Sequence, residues 1–231
     1  LASRASPGGG VLLGCRAMDP RTPVLVGVGQ VTHRPSEGET SPLELMARAA
    51  RRAEEDAGAP GLLGRAGSVA IVDLFSWPVP DPGAMLAAEL GIEPRETVRA
   101  TRGGTGPLAL LGDLCSRIQA GDLDVGLIAG GEVMTAFMRA VGRGEPTGWP
   151  EQAEGPRPTR DVGADRDHNH PAEAAAGLVA PIFFYPLFEQ AVRGVAGATP
   201  AEHQQWLGEL WARFAAVARE NPFAWTQDAP T

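Results

Sequence analysis

The sequence contains no lysine; all 20 of its basic residues are arginine. That excludes a Walker-type phosphate lysine, a Schiff-base lysine and any lysine nucleophile. Cysteine is nearly as scarce, with only Cys15 and Cys115. Two thiols make neither a disulfide framework nor a zinc site, so a reducing cytoplasm is the expected location. No apolar run reaches the ~18 residues of a membrane span. The 28 acidic residues outnumber the basic ones, for a net charge of −8. An acidic chain without a basic cluster is not expected to bind nucleic acid. What the chain does have is 30 glycines and 21 prolines, which promise many turns. Its 231 residues, 43% hydrophobic and 21% charged, describe a soluble globular chain of one domain with part of a second.

The first residues stand apart. Leu12-Leu13-Gly14-Cys15 imitates a lipoprotein cleavage box. A signal peptide, however, needs an apolar stretch of roughly 7–15 residues after a charged start. Ser6-Pro7-Gly8-Gly9-Gly10 occupies that place, and the first methionine is Met18. Residues 1–21 are therefore read as an extraneous or disordered leader.

From there the pattern alternates. Val24–Val31, Ser68–Phe75, Glu96–Thr101 and Asp124–Val133 read as buried strands of one mostly parallel sheet. Between them the spacing predicts three helices. Ser41, Pro42 and Glu44 start the first, which Gly58 ends; Asp81-Pro82 starts the second. The third, Gly104–Ala120, is apolar on most sides through Leu108, Leu110, Leu111, Leu114, Cys115 and Ile118, as expected of a helix inside a domain. The class is α/β. Residues 144–171, rich in Gly, Pro, Asp, Arg and His, read as a long loop. Tyr185–Val195 and the stretch from Thr199 to Asn221 then form a helical annex.

Gly27-Val28-Gly29 invites a dinucleotide reading, but the fingerprint requires a glycine where Thr32 stands, and the helix begins too late to face a pyrophosphate. Close packing of the strand explains the glycines better, which disfavours a nicotinamide-dependent enzyme. His168-Asn169-His170 offers two imidazoles without a third ligand at recognisable spacing, so no metal site is expected. Cys115 sits mid-helix on an apolar stripe and is expected to be an inert thiol. The turn Thr101-Arg102-Gly103-Gly104-Thr105-Gly106 joins a strand to a helix. It either presents backbone N–H groups to an anion or a polarised carbonyl, or uses glycine for steric reasons alone. On chemistry alone both readings stand.

VLVGVGQVTHR, RATRGGTGPLALL and DVGLIAGGEVMT, in this order, resemble the N-terminal half of a thiolase. The similarity is to the sterol-carrier-protein/thiolase-like branch of acetyl-CoA acetyltransferases. YPLFEQAVR and HQQWLGELWARFAAVARENPFAW resemble that branch's loop-domain insertion. The resemblance implies a thiolase-like fold, with residues 22–143 as its N-terminal βα half and 144–231 as a loop and helical annex. It also implies acyl-CoA as ligand or substrate, a place in lipid metabolism and a homodimer. The turn carries the main departure: the cysteine that thioesters acylate in active members falls on Gly103, which has no side chain to acylate. Cys115 lies twelve positions on, about 18 Å along a helix, and cannot substitute. The family's histidine, second cysteine and asparagine belong to a C-terminal half that is expected to be missing from this chain, so no catalytic residue is assigned. Gly103, Gly104, Thr105 and Gly106 remain as a candidate oxyanion or acyl cradle. The expected function is an acyl-CoA-handling, acetyl-CoA C-acetyltransferase-like protein. The alternatives are a non-catalytic acyl-CoA-binding or scaffold partner and a lyase-type relative. On its own this chain is expected to be inactive, with the Gly104–Ala120 helix exposing a face suited to the missing half, and so to dissolve poorly or associate.

Overall fold

A computed structural model describes residues 19–164 and 169–228. Most of the leader, including Leu12–Cys15 and Met18, lies outside the described residues, as does His168.

The fold is α/β, built on a four-stranded parallel sheet in the order β3-β1-β2-β4. The strands are β1 (Ser68–Val72), β2 (Glu96–Ala100), β3 (Gly126–Ala129) and β4 (Arg160–Val162). Alternate residues of β1 serve two cores, because successive strand side chains point to opposite faces. Val69 and Ile71 pack with Leu43, Met46 and Ala47 of α1 (Pro42–Asp56) and Leu86 of α2 (Pro82–Leu90). Ala70, with Val98 and Ala100 of β2, packs on Leu110 and Leu114 of α3 (Gly106–Ala120). The result is three layers, with Ser68–Ile71 of β1 buried in the middle.

The helix signals hold. Ser41 Oγ accepts from Glu44 N at 3.2 Å to cap α1, and Asp81 caps α2 through Ala84 N at 2.9 Å. Beyond α4 (Met134–Arg143) and α5 (Pro171–Ala175) the annex consists of α6 (Pro181–Ala196) and α7 (Pro200–Glu220). Thr199 and Glu202 form the capping box of α7.

Three expectations need correction. Val24–Val31 is not a strand of the sheet: it runs extended, unpaired and exposed along α1. Its glycines allow this, because a Cβ at Gly27 or Gly29 would lie 2.1 Å from Ala53 O or 1.9 Å from Ala49 O. Asp56 accepts from Val28 N at 2.9 Å and Arg52 donates to Gln30 O at 2.6 Å, so α1 satisfies groups that a ladder would otherwise use. Second, 144–171 is not loop throughout, since β4 pairs with β2 along Val98–Ala100. Charge pairing draws it in: Arg160 binds both carboxylate oxygens of Asp113 at 3.0 and 2.7 Å and lies 3.6 Å from Glu96, while Arg99 meets Asp161 at 3.0 Å. Third, α3 is not enclosed on most sides. Leu110 and Leu114 are buried, but Leu108 is 72% exposed and Leu111 45%.

Burial alone would push the Glu96 carboxyl up. The Ser68 hydroxyl beside it, the Arg117 guanidinium that donates to it and the charge of Arg160 outweigh that and hold it below the ordinary range. A carboxyl lowered on folding adds stability above its unfolded pKa and loses it as pH falls through the folded one. Thermal unfolding should therefore show wild type above Glu96→Gln at pH 7, with the gap closing below about pH 4. A gap that persists unchanged into acid contradicts the pairing.

Candidate active site

The strands end at Val72, Ala100, Ala129 and Val162 on one edge of the sheet, the carboxyl edge at which parallel α/β folds bind ligands. The glycine turn lies there, between β2 and α3. Gly103 has φ +137° with nothing within 4 Å of a built Cβ, so the space is open while the backbone disfavours any side chain. Gly106 begins α3 with its N–H on Gly103 O at 3.0 Å, and a Cβ at Gly106 would press on Thr101 O at 3.1 Å. Thr105 precedes α3 without a side-chain cap. Among the described residues, the N–H groups of Gly103, Gly104 and Thr105 have no backbone acceptor. Three donors without a backbone acceptor thus lie at the positive end of a 15-residue helix.

Arg102 orients the turn. Its Nε donates to Asp73 Oδ2 at 2.8 Å, and its guanidinium sits 5.0 Å from the Phe75 ring centre. Both partners lie in the exit of β1, which is held from the other side. The Glu132 carboxylate accepts from Phe75 N at 2.6 Å, from Ser76 N at 2.9 Å and from the Ser76 hydroxyl, and Ser76 Oγ accepts from Val133 N at 3.1 Å. One carboxylate therefore couples the exits of β1 and β3.

Glu132 also faces a cavity of about 700 Å³. Thr32, His33, Arg139, Trp149 and Trp225 are among its other lining residues, whereas Gly103–Gly106 do not line it. Connection to the turn runs through Glu132, Phe75 and Arg102. Arg139 makes no ion pair or side-chain hydrogen bond among the described residues.

Of the residues singled out by sequence, Gly103, Gly104, Thr105 and Gly106 do come together. Cys115 lies about two and a half turns along α3 from the turn, half-buried and away from it. His170 caps α5 through its Nδ1, which accepts from Ala172 N at 3.2 Å, while Asn169 donates to Leu178 O. Among the described residues no three His, Cys, Asp or Glu side chains group to hold a metal. No helix among the described residues is long and apolar enough to cross a membrane. Sequence reasoning missed Glu132 and Asp73, and named Arg102 within the turn without giving it a role. The signals were there: an acid directly after the Gly-Gly that ends one strand, and opposite charges at the exits of two others.

Layers and parallel sheet define an α/β fold, and its likeness to a solved structure makes it thiolase-like. The chain is similar to a monomeric SCP2-thiolase like protein type 1 from Mycobacterium smegmatis, known from its crystal structure. The two share 29% sequence identity with a TM-score of 0.62, over 92% of this chain. The chain spans 37% of that protein's length. No protein-family model matches the chain, and no curated protein matches it.

Removing the Glu132 carboxylate should cost about 2 kcal/mol, because the fully buried Ser76 and its neighbour lose charged acceptors. In urea, Glu132→Ala is expected to lower the midpoint with little change in slope. A loss under about 0.5 kcal/mol, the usual scale of surface substitutions, means that Glu132 does not hold the β1 exit.

Proposed function

We propose that this chain handles acyl-CoA thioesters as part of a thiolase-type protein, and that it does so without an acyl-enzyme at its glycine turn. The observation that carries the reading is the turn itself. Open N–H groups at Gly103, Gly104 and Thr105 sit at the uncapped head of α3, where a thioester carbonyl oxygen would be polarised. Gly103 supplies no nucleophile, and its positive φ opposes one. The likeness to an SCP2-thiolase-like protein supports thioester handling as the ligand class.

The same observation favours a second reading, acyl-CoA binding or scaffolding without catalysis, over acetyl transfer through a covalent intermediate. A lyase-type reaction driven by proton transfer would use the cradle equally well, since it needs carbonyl polarisation and no acylated cysteine. In both, the turn holds the carbonyl while Arg102, locked by Asp73 and Phe75, keeps the turn in register.

Intact-mass spectrometry after incubation with acetyl-CoA tests the covalent question. Wild type is expected to gain no acetyl group. Gly103→Cys is expected to lose about 1–2 kcal/mol of stability from its strained backbone, and to gain no thiolase turnover. An acetyl adduct on wild type, mapped to Cys115 or to residues 101–106, contradicts the proposal.

A further inference from the structure

β4 has only three residues in register with β2: Arg160 with Val98, Asp161 with Arg99 and Val162 with Ala100. A ladder that short holds little on its own, since an isolated strand pair is marginal in water. Side chains do the holding. Arg160 donates to both oxygens of Asp113 on α3 at 3.0 and 2.7 Å and lies 3.6 Å from Glu96 at the start of β2. Asp161 accepts from Arg99, its cross-strand neighbour, at 3.0 Å. Thr97 N donates to the Thr159 hydroxyl at 3.2 Å, and Thr159 N to the Thr97 hydroxyl at 3.3 Å. Thr101 N closes the far end on Val162 O at 3.0 Å.

The sequence around β4 suits a strand that ends a sheet. Pro156 and Pro158 precede it, Arg160 and Asp161 place charges on it, and Gly163 follows at φ +93°. A Cβ at Gly163 would lie 2.6 Å from the Thr101 hydroxyl, so glycine lets the chain turn off β2 there. Short length, charge and proline are the means by which natural sheets keep an edge from pairing with another chain. β2 beneath it is longer, with five residues in register with β1, no proline, and Thr97, Val98 and Ala100 buried. Thr97 and Thr101 turn their N–H groups toward β4, and Arg99 between them does so too, because alternate residues of a parallel strand share a direction.

We propose that β4 is a guard strand: it fills the edge of β2 at which a second copy of this chain would otherwise pair. Symmetry sets the occupant that it excludes. Two copies present the same edge, and a two-fold axis perpendicular to the sheet sets β2 antiparallel to its own copy. The α3 layer and the α1–α2 layer then each continue on their own side, in a closed pair that uses one surface twice. An unrelated peptide has no such layers to continue.

Hydrogen exchange read by mass spectrometry, together with sedimentation velocity, tests this on the whole chain. Arg160→Glu sets a carboxylate against Asp113 and Glu96 and should expel β4. In wild type the segment 96–101 is expected to be protected equally at every concentration. In Arg160→Glu its three freed N–H groups should exchange at least about tenfold faster in dilute solution. They should regain protection when the protein is concentrated about a hundredfold, as a dimer forms by mass action. A triple variant, Arg160→Gly with Asp161→Gly and Val162→Ser, removes the guard without adding charge and should behave alike, with α1 protected throughout. A synthetic peptide of residues 157–163, added in trans, should restore the protection in dilute solution and dissolve the dimer. Because the readout lies in β2, association through another face does not enter it. The proposal is overturned if both variants leave 96–101 as protected as in wild type, or if the freed segment stays unprotected at high concentration. Protection that returns without a heavier species also overturns it. So does loss of α1 protection in both variants, since a guard is dispensable to the fold.

Discussion

The carboxyl edge of the sheet depends on one carboxylate. Glu132 follows β3 and accepts hydrogen bonds from the backbone leaving β1, so two strand exits are fixed by a single side chain. From that clamp the rest follows by contact. Phe75 and Asp73 are placed, they hold Arg102, and Arg102 holds the turn whose glycines open the head of α3. A carboxylate taking several N–H and O–H donors is among the strongest neutral-pH anchors a loop can have. It also stands in the wall of the cavity, which gives the turn and the cavity a common support.

Much of this was legible in the sequence. The capping residues Ser41, Asp81 and Thr199 announced their helices, because a side-chain acceptor three residues ahead of an N–H is local chemistry. Ser68–Val72, Glu96–Ala100 and Gly126–Ala129 were visible as apolar runs, and Gly103–Gly106 as a turn. What failed was non-local. Val24–Val31 has the right residues for a strand, but strand formation needs a partner, and here the glycines favour the flank of α1. Arg160–Val162 looked like loop because its pairing rests on Asp113 and Glu96, far away in sequence. Glu132 carried no periodicity to betray its role.

The exposed apolar residues extend the picture. Leu108 and Leu111 on α3, Phe183 and Phe188 on α6, and Trp211 and Phe214 on α7 all face outward. Isolated apolar residues at a surface are ordinary, but rows of them along helices mark contact surfaces.

The central claim is that the glycine turn binds a thioester carbonyl through backbone N–H groups and bonds to nothing covalently. Isotope-edited infrared spectroscopy of acetyl-CoA labelled with carbon-13 at the carbonyl reports that contact directly. On binding, the carbonyl band should move to lower frequency, and Gly103→Val should remove the shift. A bound ligand whose carbonyl band stays at its position in water contradicts the cradle.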